Sequence, residues 1–121
     1  MGVVAQSMAM TQTGSLVAQL TVYKNKNPRS KATFPFLVDV QSELLDELET
    51  RVVIPLTRAA ALTKNPVSQL TPVLDFEGES YVLMTPQLAG IGRNELGPAS
   101  GTLAGHREVI LAAVDFLLTG F

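Results

Sequence analysis

Five groups of residues have the types and spacing that chemistry would need: Asp39, the pair Glu43 and Asp46, Arg51 with Arg58, His106 beside Arg107, and Gly90-Ile91-Gly92. Two carboxylates can share acid and base work when their surroundings push their proton affinities apart. Asp39 reads as standing alone on the outward face of a strand, and Glu43 and Asp46 belong to an acidic connection, where such side chains are solvated. His106 opens a helix and has no nucleophile beside it in sequence, which is the setting of a surface histidine. Arg51, next to Thr50, and Arg58 could face a phosphate, but no backbone nest or lysine accompanies them. The glycines of Gly90-Ile91-Gly92 lack the preceding parallel strand, the following helix and the third glycine of a dinucleotide fingerprint. The chain has no cysteine and one histidine, which removes disulfides, thiolate metal sites and cysteine nucleophiles, and leaves a histidine pair buildable only with a second copy. The residues therefore point to no catalytic centre, no metal and no cofactor.

Charge is informative through its placement. Nine Lys and Arg against eleven Asp and Glu is not the basic excess of a nucleic-acid binder. Yet Lys24, Lys26, Arg29 and Lys31 fall within eight positions, and Glu43, Asp46, Glu47 and Glu49 within seven. Such runs read as solvated loops. The first positive charge is Lys24, so no secretory leader is expected, and the apolar run Val109 to Val114 is far short of the roughly 20 residues that span a bilayer. The expected location is the cytoplasm, without a membrane partner.

The elements that position these residues are mostly strands. Residues 1–16 carry no charge and no periodicity, and read as a disordered extension or cloning remnant ahead of a domain at 17–121. Leu20 and Val22 alternate with Thr21 and Tyr23 in a first strand, and residues 24–33 form a polar loop. Phe34, Phe36, Val38 and Val40 share one face of a second strand, with Pro35, Leu37 and Asp39 on the other. Arg51 to Leu56 is a third strand, which Pro55 places at an edge or terminates. Thr57 to Leu62 suggests a helical turn. Thr71–Phe76 and Tyr81–Thr85 flank Glu77-Gly78-Glu79-Ser80 as a hairpin, and five glycines with Pro98 make 90–105 a loop. From Arg107 to Leu118 the sequence is helical, with Ile110, Ala113, Val114 and Leu117 in one stripe and Leu111, Phe116 and Leu118 off it. A helix apolar on two faces needs two partners, its own sheet and a second copy. The fold expected is mainly β: five or so short antiparallel strands in a small barrel or curled sheet, closed by a C-terminal helix, as a homodimer.

Four segments carry a resemblance: Val22-Tyr23-Lys24, Phe36-Leu37-Val38-Asp39-Val40-Gln41-Ser42, Val53-Ile54-Pro55-Leu56 and Thr119-Gly120-Phe121. Together they resemble the CcdB family, toxins of bacterial toxin–antitoxin pairs that poison DNA gyrase, over about Val17 to Phe121. The resemblance implies an SH3-like antiparallel barrel with a C-terminal helix, a homodimer, and no enzymatic activity. It implies binding to the gyrase A subunit and trapping of the gyrase–DNA cleavage complex, with DNA met only through gyrase.

By position, the gyrase-binding residues implied are Leu44 and Leu45 in a loop and Asp115, Leu118, Thr119, Gly120 and Phe121 at the terminus. A CcdA-like antitoxin, a disordered tail that folds on binding, is expected on Tyr23, Lys24, Lys26, Arg29 and Lys31, where opposite charge would speed encounter. One position departs from the family pattern, which closes Trp-Gly-Ile with the indole on an arginine of gyrase. Thr119 stands there instead and forgoes a cation–π contact of about 0.5–2 kcal/mol. The same fold also serves toxins that cut messenger RNA, for which Asp39, Arg51 and His106 would be the candidate residues. A non-toxic chromosomal relative is the third reading.

Overall fold

In the computed structural model, residues 20–45, 47–63 and 67–120 are described. The expected 1–16 extension and Phe121 lie outside them. The strands are β1 (Thr21–Asn25), β2 (Phe36–Asp39), β3 (Thr50–Arg58), β4 (Val73–Phe76), β5 (Glu79–Leu83), β6 (Ala89–Gly92) and β7 (Leu96–Thr102), followed by the helix α1 (Arg107–Thr119). All pairings are antiparallel in the order β4-β5-β3-β2-β1-β7, with β6 also on β3.

The sheet is a curled half-barrel because of what its strands can and cannot carry. Strand β3 is shared, pairing β6 over Thr50–Val53 and β5 over Leu56–Arg58. Pro55 sits where one partner gives way to the other. Its carbonyl accepts from the Met84 N–H at 2.9 Å, and the N–H it lacks would face the same gap. This is why a proline runs through a central strand here, rather than marking an edge or an end as expected. The Phe76 ring of β4, at one end of the path, reaches Gly101 of β7 at the other. A Cβ on Gly101 would stand 3.0 Å from that ring, so glycine leaves room for it.

The expected 90–105 loop is instead two strands, β6 and β7. Its glycines mark close approach and irregular pairing. A Cβ on Gly97 would lie 2.6 Å from the Lys24 carbonyl oxygen, and the β1–β7 register shifts at Val22/Tyr23 and again at Tyr23/Asn25. The helical turn expected over 57–62 narrows to a single 3-10 turn, Ala59–Ala61, because β3 continues to Arg58. The hairpin is tighter than expected: Glu79 and Ser80 belong to β5, and Glu77 and Gly78, with φ of 52° and 82°, make the two-residue turn that matches strand twist.

The core lies inside the curl. Leu20, Val22, Val38, Ile54, Leu56 and Leu83 line it with Leu103, and α1 closes it with Ile110 and Ala113, both fully buried. Phe36, Phe76 and Tyr81 pack edge to face, with centroids 5.3, 5.6 and 6.2 Å apart. Burial, and then the neighbouring Glu79 carboxylate, raise the Tyr81 hydroxyl above the ordinary tyrosine range.

Candidate functional site

Three places collect the residues singled out from the sequence. The first is the connection between β2 and β3. Asp39 was expected outward and alone; it is 2% exposed and its Oδ2 accepts a 2.7 Å bond from the Arg51 Nε, also 2% exposed. The partner comes from register. Asp39 faces Val53 on β3, and Arg51 lies two residues along on the same face, within diagonal reach of a long side chain. Neither residue is presented to a phosphate or a substrate; each neutralises the other.

From this pair a chain of bonds runs to the surface. The Gln41 N–H donates to Asp39 Oδ1 at 2.9 Å, the Gln41 Nε2 donates to the Leu45 carbonyl at 2.9 Å, and Gln41 Oε1 accepts from the Val52 N–H at 2.9 Å. Leu45 closes a 3-10 turn, Glu43–Leu45, and is half exposed. The Leu44 side chain and Asp46 lie outside the described residues. Glu47 and Glu49 are exposed, as a solvated acidic connection should be. Gln41 was not singled out from the sequence. The signal that could have found it is a glutamine directly after a strand whose neighbours are hydrophobic, a place where a buried amide must be bonded on both sides.

The second place is the end of α1. Asp115, Leu118, Thr119 and Gly120 are all exposed, Leu118 at 73%. The Thr119 hydroxyl donates to the Asp115 carbonyl at 2.7 Å, and Gly120 takes a left-handed conformation, φ 79°, with its N–H on the Phe116 carbonyl at 2.8 Å. Val109 and Leu117 are also exposed on this helix. His106 forms its N-cap and is half buried, on a different element from the strands that carry the Asp39–Arg51 pair. The helix rests on the turns Thr85–Gln87 and Ala104–His106.

The third place is the loop after β1. Lys24, Lys26, Arg29 and Lys31 are exposed and Tyr23 half buried in β1. The loop is ordered by one buried asparagine. Asn25 donates from Nδ2 to the Ser30 hydroxyl at 3.0 Å and to the Phe34 carbonyl at 2.8 Å, and its Oδ1 accepts the Asn27 N–H at 3.0 Å. Asn27 repeats the motif on the Arg29 N–H at 2.8 Å. Beneath the loop runs an open groove of about 730 Å³, floored by Leu37, Val53, Pro55 and Ile91 and walled by Lys26 and Arg29. Lys26 and Arg29 thus border apolar surface.

Among the described residues no group of three His, Cys, Asp or Glu is placed to hold a metal ion, and no helix is long and apolar enough to cross a membrane. What the three places offer is surface. One is a turn held from below by a buried ion pair, another a helix end with an exposed leucine, and the third a basic loop over an apolar groove. The family model described as CcdB protein matches residues 19–120, nearly the whole chain, and on that match the chain belongs to the CcdB family.

Proposed function

We propose that this protein is the toxin of a toxin–antitoxin module, a homodimer acting in the cytoplasm that binds the A subunit of DNA gyrase and traps the gyrase–DNA cleavage complex. It acts by contact and not by catalysis. The observation that carries the reading is the end of α1, where Leu118, Thr119 and Gly120 stand exposed beyond the last buried residue of the helix, Ala113. Membership of the CcdB family supports gyrase as the partner. Leu44, Leu45, Asp115 and Phe121 complete the proposed gyrase surface, and a large apolar residue in such a patch is the usual anchor of an interface. Val109 and Leu117, exposed on the same helix, support a second copy as the cover for that face.

The alternative of a ribonuclease of the same fold is disfavoured by one observation: the Asp39 carboxylate and the Arg51 guanidinium are consumed in a buried pair. The test uses supercoiled plasmid. Linear DNA appears when the protein, gyrase and ATP are combined, and does not appear without gyrase. Cleavage of RNA by the protein alone would favour the ribonuclease, and no effect on either would mark a non-toxic relative.

The antitoxin is proposed to fold onto Tyr23 and the basic loop, its acidic residues on Lys24, Lys26, Arg29 and Lys31 and its apolar ones over the groove beside them. Replacing the four basic residues by Gln is expected to lower the association rate for an acidic CcdA-like peptide by roughly tenfold or more at low salt, and by much less at high salt, where such steering is screened. Stopped-flow fluorescence at two ionic strengths reads this directly. A rate indifferent to both charge and salt would move the contact elsewhere.

A further inference from the structure

We propose that Gln41 is the positioning residue of the gyrase-contacting turn Glu43–Leu45, an inference that rests on the gyrase reading above. The residue is 6% exposed, and its side chain is used at both ends. Its Nε2 donates to the Leu45 carbonyl and its Oε1 accepts from the Val52 N–H, both at 2.9 Å. One amide therefore fastens the turn to the backbone of β3. An amide side chain donates in one direction and accepts in the other, which an ionised glutamate of the same length does not. The amide is itself held, because the Gln41 N–H sits on Asp39 Oδ1 and Asp39 Oδ2 is fixed by Arg51. The order of dependence is Arg51, Asp39, Gln41, Leu45, from the buried charge to the exposed leucine.

A second tie sits further along the same connection. The Arg93 Nε donates to the Leu48 carbonyl at 2.8 Å and the Arg93 N–H to the Glu49 carbonyl at 2.9 Å. The stretch after Leu45 is thus anchored to the end of β6, and the Leu45 end of the connection is anchored by Gln41. Without the Gln41 bond the turn keeps the bonds from the Leu45 N–H to the Ser42 carbonyl, 3.0 Å, and from the Leu48 N–H to the Leu45 carbonyl, 3.2 Å, but loses its side-chain fastening to the backbone of β3. A contact surface that must order itself on binding loses affinity by that ordering cost.

Two variants separate positioning from bulk stability. Gln41→Glu keeps an acceptor for Val52 and loses the donor to Leu45, whereas Gln41→Met loses both at similar volume. Amide hydrogen exchange by NMR is expected to show Leu45 and Leu48 exchanging faster in Gln41→Glu, with the β1–β2 amides unchanged. Affinity for a gyrase A dimerisation fragment, by calorimetry, is expected to fall roughly tenfold, and Leu45→Ala should cost less in the Gln41→Glu background than in the wild type, since the two then act on one contact. Binding of the acidic antitoxin-like peptide stays unchanged.

In the wild-type chain itself one Gln41 side-chain amide proton is expected to exchange slowly, a measurement that needs no variant. Free exchange of that proton, or faster exchange at Leu45 with undiminished gyrase binding, overturns the proposal. If the wild type does not bind the gyrase fragment, the functional reading has failed and the gyrase part of the inference falls with it; slow Gln41 and Leu45 exchange would still assign the fastening of the turn.

Discussion

Arg51→Met is expected to lower the unfolding free energy by about 3–5 kcal/mol, the cost of leaving a buried carboxylate without its counter-charge. The Asp39–Arg51 pair is 2.7 Å long with both side chains almost wholly removed from water, so solvent cannot step in when the guanidinium goes. Methionine fills most of the volume and thereby isolates the electrostatic effect from cavity formation. The internal comparison is Arg58, whose Nε lies 3.2 Å from Glu79 Oε2 with both side chains nearly half exposed; Arg58→Met should cost less than about 1 kcal/mol.

Removing both charges tests the cause. In the double variant Asp39→Leu with Arg51→Met, stability should recover much of the loss, because a buried pair is often replaceable by apolar residues though neither half tolerates loss of the other. Urea unfolding followed by circular dichroism measures all four proteins. Equal costs at Arg51 and Arg58, or a double variant weaker than the single, would show that the pair does not act as a coupled buried charge.

Deleting Gly120 and Phe121 is expected to abolish gyrase-dependent plasmid linearisation while leaving the protein folded, with the melting temperature lowered by no more than a few degrees, because the described bond that goes is the cap from the Gly120 N–H to the Phe116 carbonyl. Location is the reason. The buried residues of α1 are Ile110 and Ala113, with Val114 partly buried against the core, and everything described beyond Leu117 is exposed. The Thr119 hydroxyl is turned back on the Asp115 carbonyl, so that position has no aromatic to offer gyrase and its one polar group is already engaged. In the proposed surface, apolar contact at this end therefore falls to Leu118 and Phe121. Loss of folding on truncation, or full activity without these residues, would each remove the terminus from the proposed surface.

Much of this was legible in the residues themselves. The alternation around β1 and β2, the hairpin with its glycine turn at Gly78, the 3.6-residue stripe of α1 and the exposed basic loop are local properties, written in the spacing of neighbours along the chain, and the four segments resembling CcdB lie on or beside these elements and β3. The family match over 19–120 agrees with that resemblance.

What remained hidden depends on partners distant in sequence. The glycines of 90–105 look like loop residues until β7 is laid on β1 and against Phe76, where a Cβ at Gly97 would collide with the Lys24 carbonyl and one at Gly101 would crowd the Phe76 ring. Pro55 looks like a strand end until β3 is seen to exchange β6 for β5 at that point. Asp39 looks solvent-facing because period 2 assigns it to the side opposite Val38 and Val40, but periodicity says which side a residue takes and not whether that side is covered. Register set Arg51 diagonally opposite Asp39, and only then could Gln41 be recognised as the link from a buried charge to Leu45. The sequence by itself determined β1 to β5, α1, the exposed charges and the family; tertiary structure alone decided that 89–102 pairs as strands, which polar residues are buried and what they hold, because burial and pairing are properties of strands brought together and not of the strand.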